Sequence, residues 1–209
     1  MRFKKKKKKL IIFDLDGVLI NSENNMIFAL SKTSKKLNLK LKFNIYRKYI
    51  GLPFEAIMKK MQIKKKYVSQ IKKNYIYFSN LKLSELSIQK KKLNDLRKLN
   101  KKYNLAVYTS KDKQRAHEIL KKYKIFKAII TLDDVKKGKP NPEGLLKILK
   151  KLKVKRRNSL YVGDTKFDYL TAKNAKIKYL HVNWGFDKTL NNLKKVNVIS
   201  TFLNIPEYF

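Results

Sequence analysis

Two carboxylates directly follow a short apolar run near the start of the chain. The run Leu-Ile-Ile-Phe at 10–13 leads into Asp14, Leu15, Asp16 and Gly17. Such a run predicts a buried strand, and strand alternation sends Asp14 and Asp16 to one face. Buried carboxylates need a partner, and a glycine lets the backbone turn close to a ligand. The pair therefore predicts a cation site with a reactive acid, although Asp-Gly is also an ordinary turn.

Further polar residues follow the later apolar runs. Thr109 and Ser110 end one run, Lys139 lies in a turn after the next, and Asp164 and Asp168 follow a third. Each has an ordinary explanation, as a helix cap or as one lysine among many. Several such coincidences at corresponding strand ends are improbable, so together these residues favour a functional site.

The elements that must position these residues alternate from about residue 88. We predict helices at 89–101, 113–122, 143–153 and 168–176, and strands at 104–109, 128–131, 159–163 and 179–182. Repeated helix–strand units indicate an α/β fold with a doubly wound parallel sheet. In such a sheet, ligands bind outside the carboxyl ends of the strands.

Residues 22 to about 80 differ from this alternating pattern because they carry helical but no strand periodicity. Ser22 is predicted to cap the first of these helices, and others are predicted at 54–61 and 67–78. The segment is therefore a candidate helical insertion. The predicted domains are a core of residues 1–20 and 84–209 and a helical unit of residues 21–83.

Composition narrows the possible functions. The 209-residue chain has a formal net charge of +38 and no cysteine, which excludes disulfides, thiolate metal sites and cysteine nucleophiles. Such a charge suits binding to nucleic acid or an anionic membrane, and the lysine run at 4–9 would be the end of that basic surface. However, only six of the cations are arginines, the residues that nucleic-acid sites usually recruit. We favour compositional drift over dedicated nucleic-acid binding, which stays an alternative.

Location is predicted from the first residues. Residues 3–20 imitate a signal peptide, but Asp14 and Asp16 interrupt the apolar stretch and no small-residue cleavage site follows. No later stretch approaches the length of a membrane span. We expect a cytoplasmic protein without a membrane partner, monomeric or a small homo-oligomer.

The four motifs together resemble the haloacid dehalogenase superfamily. Asp14-Leu15-Asp16-Gly17-Val18, then Thr109, Lys139 and finally Gly163-Asp164 with Asp168 occur in that family's order, and the likeness extends over residues 10–186. The chain looks most similar to the branch of phosphoglycolate phosphatases and beta-phosphoglucomutases. This resemblance implies a Rossmann-like core with a small helical cap inserted after the first strand.

The resemblance also implies roles for the first two acids and the metal. Asp14 would be the nucleophile that forms an aspartyl-phosphate, and Asp16 the general acid and then base. Mg²⁺ would be held by Asp14, the main-chain carbonyl of Asp16, and Asp164. Asp168 would stand behind these ligands or reach the ion through water.

Substrate binding is assigned by the same resemblance to three residues. Thr109, Ser110 and Lys139 would bind the substrate, with Thr109 bonding a phosphoryl oxygen and Lys139 neutralising charge on nucleophile and phosphate. Arg47 and Lys48 could face the crevice and hold an anionic leaving group, although solvated helix residues are the commoner case.

The implied function is a Mg²⁺-dependent phosphatase acting on a small phosphorylated metabolite, such as phosphoglycolate or a sugar phosphate. Asp16 favours this over dehalogenation, because a departing halide needs no proton. A beta-phosphoglucomutase-like phosphomutase is the nearest alternative. An alternative of another class is a non-catalytic module that binds nucleic acid or protein through its basic surface.

Overall fold

A six-stranded parallel sheet forms the centre of the molecule, in a computed structural model that describes residues 8–193 and 195–209. Its spatial order is β3-β2-β1-β4-β5-β6, and every neighbouring pair is parallel. The strands are β1 (Leu10–Phe13), β2 (Asn104–Tyr108), β3 (Phe126–Ile130), β4 (Ser159–Gly163), β5 (Lys178–Val182) and β6 (Asn197–Ile199).

Eight α-helices accompany the sheet in the described residues. They are α1 (Glu23–Lys36), α2 (Phe43–Arg47), α3 (Phe54–Lys60), α4 (Lys65–Leu81), α5 (Lys90–Lys102), α6 (Lys113–Leu120), α7 (Glu143–Leu152) and α8 (Lys166–Ala175).

Strand β1 is the pivot of the sheet because all four of its residues are buried on both faces. Ile11 and Phe13 pack with the apolar sides of α5 and α6, whereas Leu10 and Ile12 pack with those of α7 and α8. The strand order reverses at β1, and such a switch point opens a crevice at the carboxyl ends of the strands. The residues that follow β1 therefore lie at the mouth of that crevice.

Helices α1–α4 build a separate apolar cluster above this edge of the sheet. The cluster centres on residues such as Leu30, Met58 and Ile71, and it includes Phe167 and Phe186 from the sheet side. A further tie is polar, since Ser110 Oγ donates to Gly51 O at 2.7 Å. These contacts place the four helices over the crevice.

The α/β fold predicted from the sequence is confirmed, and four differences are instructive. The short helix α2 and the edge strand β6 were not predicted, since five and three residues are too few to show a period. Ser22 occupies the position before α1, but the prediction that it caps the helix is wrong, because its hydroxyl donates to Asp16. Helix α8 begins at Lys166 rather than at 168, with Thr165 as its cap.

Some predictions lie beyond these observations. Residues 4–7 of the lysine run fall outside the described residues. The division at residues 21–83 stays a prediction. Across the described residues, no helix combines the length and apolar character that crossing a bilayer requires.

Candidate active site

Asp14 and Lys139 form a buried ion pair at the carboxyl end of β1. Lys139 Nζ donates to Asp14 Oδ1 and to Asp168 Oδ1, each at 2.7 Å, although these residues are far apart in sequence. The ammonium also lies 5.2 and 5.5 Å from the ring centres of Tyr108 and Tyr161. Charge-assisted bonds and aromatic faces hold a buried ammonium in one place.

Asp168 is the most heavily bonded carboxylate of the site. Its Oδ1 accepts from Lys139 and from Tyr161 Oη, and its Oδ2 accepts from Thr165 N and Thr165 Oγ1. Burial opposes its ionisation, but the Lys139 ammonium and these hydrogen bonds outweigh burial and hold the pKa of Asp168 below its ordinary value. Asp168 is thus an anion that fixes Lys139 and the start of α8.

Asp164 contrasts with Asp168 because one of its oxygens is unbonded. Oδ2 accepts from Phe186 N at 2.6 Å, whereas Oδ1 is buried and has no hydrogen-bond partner among the residues described. Backbone crowds this carboxylate from two sides, and a Cβ at either Gly17 or Gly185 would come within 2.1 Å of Asp164 atoms. The φ of Gly17 is +81°, a conformation that favours glycine.

We name Asp14, Asp164, Asp168 and Lys139 the carboxylate cluster. One ligand oxygen from each acid lies within 4.8 Å of the others, and the Lys139 ammonium pairs with two of the three carboxylates. Burial, partly offset by Lys139, raises the pKa of Asp14 to about 7. Burial and the neighbouring Asp168 and Asp14 raise that of Asp164 well above its ordinary value. The unbonded oxygen and the surplus negative charge fit a hard divalent cation.

Asp16 lies beside the cluster but has different partners. Ser22 Oγ donates to its Oδ1 at 2.5 Å, and Lys111 Nζ lies 3.1 Å from the same oxygen. The side chain of Asp16 is 13% exposed, which distinguishes it from the sealed Asp164 and Asp168. One carboxylate of the opening pair is therefore fixed by Lys139, and the other faces a more open space.

That space is a cavity of about 60 Å³ between the sheet edge and helices α1–α4. We call it the cationic cavity because Lys111 and Arg115 belong to its wall, beside Asp16 and the two tyrosines Tyr46 and Tyr75. Its full lining is Asp14, Asp16, Met26, Tyr46, Ile50, Gly51, Leu52, Phe54, Ile57, Tyr75, Thr109, Ser110, Lys111, Arg115 and Lys139.

The structure brings together the seven residues that the sequence analysis assigned to the site. Asp14, Asp16, Thr109, Ser110 and Lys139 line the cationic cavity, and Asp164 and Asp168 lie behind Asp14 in the carboxylate cluster. Thr109 is buried and its Oγ1 accepts from Lys111 N at 3.1 Å. Ser110 directs its hydroxyl to Gly51 O, which ties the sheet edge to the helices.

The sequence analysis missed four residues of the cavity and considered Arg47 and Lys48 instead. Lys111 follows Thr109 closely and could have been suspected, but nothing in the pattern pointed to Arg115, Tyr46 or Tyr75. Arg47 is half-exposed and pairs with Glu23 at 2.7 Å, and together with Lys48 it lines a different cleft. The cations that reach the cavity come from the sheet side instead.

Comparison with known proteins places this site in context. The family profile "Haloacid dehalogenase-like hydrolase" matches residues 11–182. The phosphoglycolate phosphatase of Aquifex aeolicus is 30% identical over 187 residues, covering 86% of this chain and 87% of the relative. The pyrophosphatase PpaX of Anoxybacillus flavithermus is 31% identical over 181 residues, covering 83% of each chain.

Solved structures show the same fold at lower identity. A haloacid dehalogenase-like hydrolase from Streptococcus pneumoniae superposes with a TM-score of 0.83 at 24% identity, covering 97% of this chain and 99% of the other. A hydrolase from Pseudomonas syringae gives 0.83 at 22% identity, covering 96% and 97%. The phosphatase class predicted from the sequence agrees with the names of the relatives.

Proposed function

Because the chain belongs to the haloacid dehalogenase-like hydrolase family, we propose that it is a Mg²⁺-dependent phosphatase that forms an aspartyl-phosphate on Asp14. Its substrate is a small phosphorylated metabolite. The observation that carries this proposal is the carboxylate cluster, in which Lys139 holds Asp14 at 2.7 Å beside an Asp164 oxygen without a partner. The relatives' names, phosphoglycolate phosphatase and pyrophosphatase, support the same class.

Asp14 is the proposed nucleophile. Its carboxylate attacks phosphorus, and the bond from phosphorus to the leaving oxygen breaks as the new bond forms. Two anions approach each other in this step, so positive charge must be close by. Lys139 supplies it from a fixed position, and the hydroxyl of Thr109, in the same cavity, is placed to bond a phosphoryl oxygen.

Asp16 is the proposed proton carrier. It protonates the leaving oxygen, and then it takes a proton from the water that attacks the aspartyl-phosphate, which releases phosphate and regenerates Asp14. The hydrogen bond from Ser22 and the ion pair with Lys111 hold its carboxyl group in place. The two acids of the first motif therefore have separate tasks because their partners differ.

Asp14, Asp164 and the main-chain carbonyl of Asp16 are the proposed holders of Mg²⁺. When bound, such an ion polarises the phosphoryl group and offsets its charge. Asp164 contributes the free oxygen Oδ1, while Phe186 N keeps its other oxygen in place. Asp168 is proposed to position Lys139 rather than to bind the ion, because both of its oxygens already accept hydrogen bonds.

A phosphomutase would use the same cluster and differ only in where the phosphate goes. A non-catalytic module that binds nucleic acid or protein through its basic surface is the alternative of another class, and only the net charge of +38 favours it. A cytoplasmic location, and a monomer or small homo-oligomer, complete the proposal.

A phosphate-release screen over small phosphate esters and pyrophosphate, with and without Mg²⁺, tests the proposal. We expect release that requires Mg²⁺ and that falls by about 10⁴-fold or more in Asp14→Asn. Release that persists in Asp14→Asn would refute the mechanism. Conversion of a sugar phosphate into its isomer without free phosphate would establish the mutase, and tight salt-dependent binding of nucleic acid without turnover would favour the basic module.

A further inference from the structure

The wall of the cationic cavity contains more cations than transfer of one phosphoryl group needs. Lys139 already serves the attacked phosphate, yet Lys111 and Arg115 also line the cavity. Both are buried, with only 5% of the Lys111 side chain and 9% of the Arg115 side chain exposed. Each is paired with one carboxylate, Lys111 with Asp16 and Arg115 with Asp112, but an ammonium and a guanidinium have further N–H donors that a ligand in the cavity can use.

Arg115 is held in a fixed orientation. Its Nε donates to Asp112 Oδ2 at 2.5 Å and its Nη1 donates to Ser79 Oγ at 3.0 Å, while Ser79 Oγ in turn donates to Asn25 Oδ1 at 2.6 Å. These two contacts use two of the five N–H donors of a guanidinium. The network thus joins α6 to α1 and α4 and presents a preorganised guanidinium to the cavity.

Two tyrosine hydroxyls complete this wall. Tyr46 Oη donates to Tyr75 Oη at 3.5 Å, and the Arg115 guanidinium lies 5.6 Å from the ring centre of Tyr75. Burial raises the pKa of both tyrosines, so each keeps its proton. Ammonium, guanidinium and phenol together form a set of donors that suits an anion.

Lys111 shows where this anion would sit. Its ammonium lies 3.1 Å from Asp16, the proposed donor of a proton to the leaving oxygen. An anionic group within a bond or two of that oxygen would therefore lie near Lys111, with Arg115 in the same cavity. The cavity of about 60 Å³ has room for about four water-sized groups, which suits a short leaving group.

Resting on the proposed function, we propose that Lys111, Arg115, Tyr46 and Tyr75 form a subsite for a second anionic group on the leaving group. The substrate class is a short phosphoryl compound that carries a carboxylate or a second phosphate next to the scissile bond. These residues select it over phosphate esters of neutral alcohols and sugars.

The rest of the lining disfavours a neutral sugar. In the described chain, the carboxylates that line the cavity are Asp14 and Asp16, both with roles in the reaction. Five of the other side chains there are apolar, namely Met26, Ile50, Leu52, Phe54 and Ile57. Sugar hydroxyls placed against them would lose hydrogen bonds to water without replacement.

A matched pair of substrates tests the subsite. Phosphoglycolate and hydroxyethyl phosphate differ in having a carboxylate or a hydroxymethyl group, and pyrophosphate supplies the second-phosphate case. We expect the parent kcat/KM to favour phosphoglycolate or pyrophosphate over hydroxyethyl phosphate and glucose 6-phosphate by about 100-fold. Arg115→Met should lower that preference to about 10-fold or less, and Arg115→Lys should retain part of it.

Controls separate selectivity from general damage. If Arg115→Met fails to fold, Lys111→Met can be tested in the same way. A loss of proton transfer that is common to both substrates does not change the ratio of their kcat/KM values. Arg47→Met removes a cation outside the cavity and should leave the ratio unchanged. A parent that prefers neutral leaving groups, or an unchanged ratio in both cavity variants, overturns the subsite while phosphate release still supports the proposed function. No release from any of these substrates overturns both.

Discussion

The carboxylate cluster and the cationic cavity adjoin each other but are built in different ways. The cluster comes from strand ends, the turns after them and the first turn of α8, and Lys139 joins two of its carboxylates. The cavity is shared between the loop after β2, helix α6 and residues of the overlying helices such as Tyr46 and Tyr75. Under the proposed function, residues at the edge of the sheet carry out the chemistry, whereas helices α1–α4 and α6 select the substrate.

The charges of the two regions also differ in sign. The cluster contains three carboxylates and one ammonium, whereas the wall of the cavity includes the cations Lys111 and Arg115. Surplus negative charge suits a metal cation, and donors without a catalytic task suit a second anion. Substitutions in the carboxylate cluster should therefore lower rate and stability, whereas substitutions in the cationic cavity should change substrate selectivity.

Lys139→Met should have the largest effect on the cluster. Removing the ammonium leaves Asp14 and Asp168 buried without their common partner, and breaking such a pair costs about 3–5 kcal/mol. The turnover number should fall about 10²–10³-fold as well, since a fixed cation near the reacting phosphate is lost. Urea unfolding and steady-state kinetics measure the two losses, and an unfolding free energy equal to that of the parent would show that the ion pair is not structural.

Asp164→Asn should stabilise the protein when no metal is present. The variant removes the charge from a carboxylate whose Oδ1 is unpaired in the described part of the chain, which we expect to gain about 1–3 kcal/mol near pH 8. Mg²⁺ at about 100 times its Kd should stabilise the parent by about 2.7 kcal/mol and the variant much less. Thermal unfolding with and without the ion checks both, and equal Mg²⁺ effects in the two proteins would contradict the ligand role.

The pH dependence of that difference follows from the sign of the pKa shifts. The pKa of Asp14 rises from 3.8 to about 7 on folding, so between those values the native state binds more protons and its stability falls as pH increases. The shift of Asp164 has the same direction, whereas the lowered pKa of Asp168 gives stability that is lost only in acid. The advantage of Asp164→Asn should thus shrink as the pH is lowered towards the ordinary pKa of an aspartate, which unfolding over a series of pH values measures.

Ser110→Ala should have a small effect at the junction of the two regions. It deletes the 2.7 Å hydrogen bond to Gly51 O and should cost about 1 kcal/mol, with kcat/KM lowered about 5-fold for anionic and neutral substrates alike. A selective loss for anionic substrates would instead make Ser110 part of the subsite. The same kinetic assay with both substrate types decides between these outcomes.

Arg47→Met should have the smallest effect. Its ion pair with Glu23 is half-exposed, and such pairs contribute about 0–1 kcal/mol. We expect unfolding free energy within about 0.5 kcal/mol of the parent and unchanged substrate preference. A large change in kcat/KM for anionic substrates would instead indicate that Arg47 belongs to the anion subsite.

The same contrast explains what the sequence could predict. Asp14, Lys139 and Asp164 follow strand ends, and a parallel sheet gathers strand ends at one edge, so local pattern was enough to bring them together. Arg115 and Tyr75 lie on helices whose packing depends on distant residues. An arginine facing a cavity has the same local pattern as one facing solvent, which is why the subsite was not predicted.

Ser22 shows a second limit of local pattern. A serine before a helix is typical of a cap, yet its hydroxyl bonds Asp16, because a tertiary acceptor competes with the backbone of α1. Element boundaries shifted for similar reasons, but no predicted strand of the core was lost. The fold and the residues of the candidate site were thus accessible from sequence, and the shape of the cavity was not.

Trapping the covalent intermediate tests the central claim most directly. In Asp16→Asn the base that activates water is absent, whereas an ester with a good leaving group, such as nitrophenyl phosphate, needs no acid to react. After acid quenching in the presence of Mg²⁺, mass spectrometry should find phosphate attached to Asp14 in this variant, with a burst of nitrophenolate that approaches one per protein. Phosphate released at the parent rate, with no phosphate on Asp14, would contradict the account.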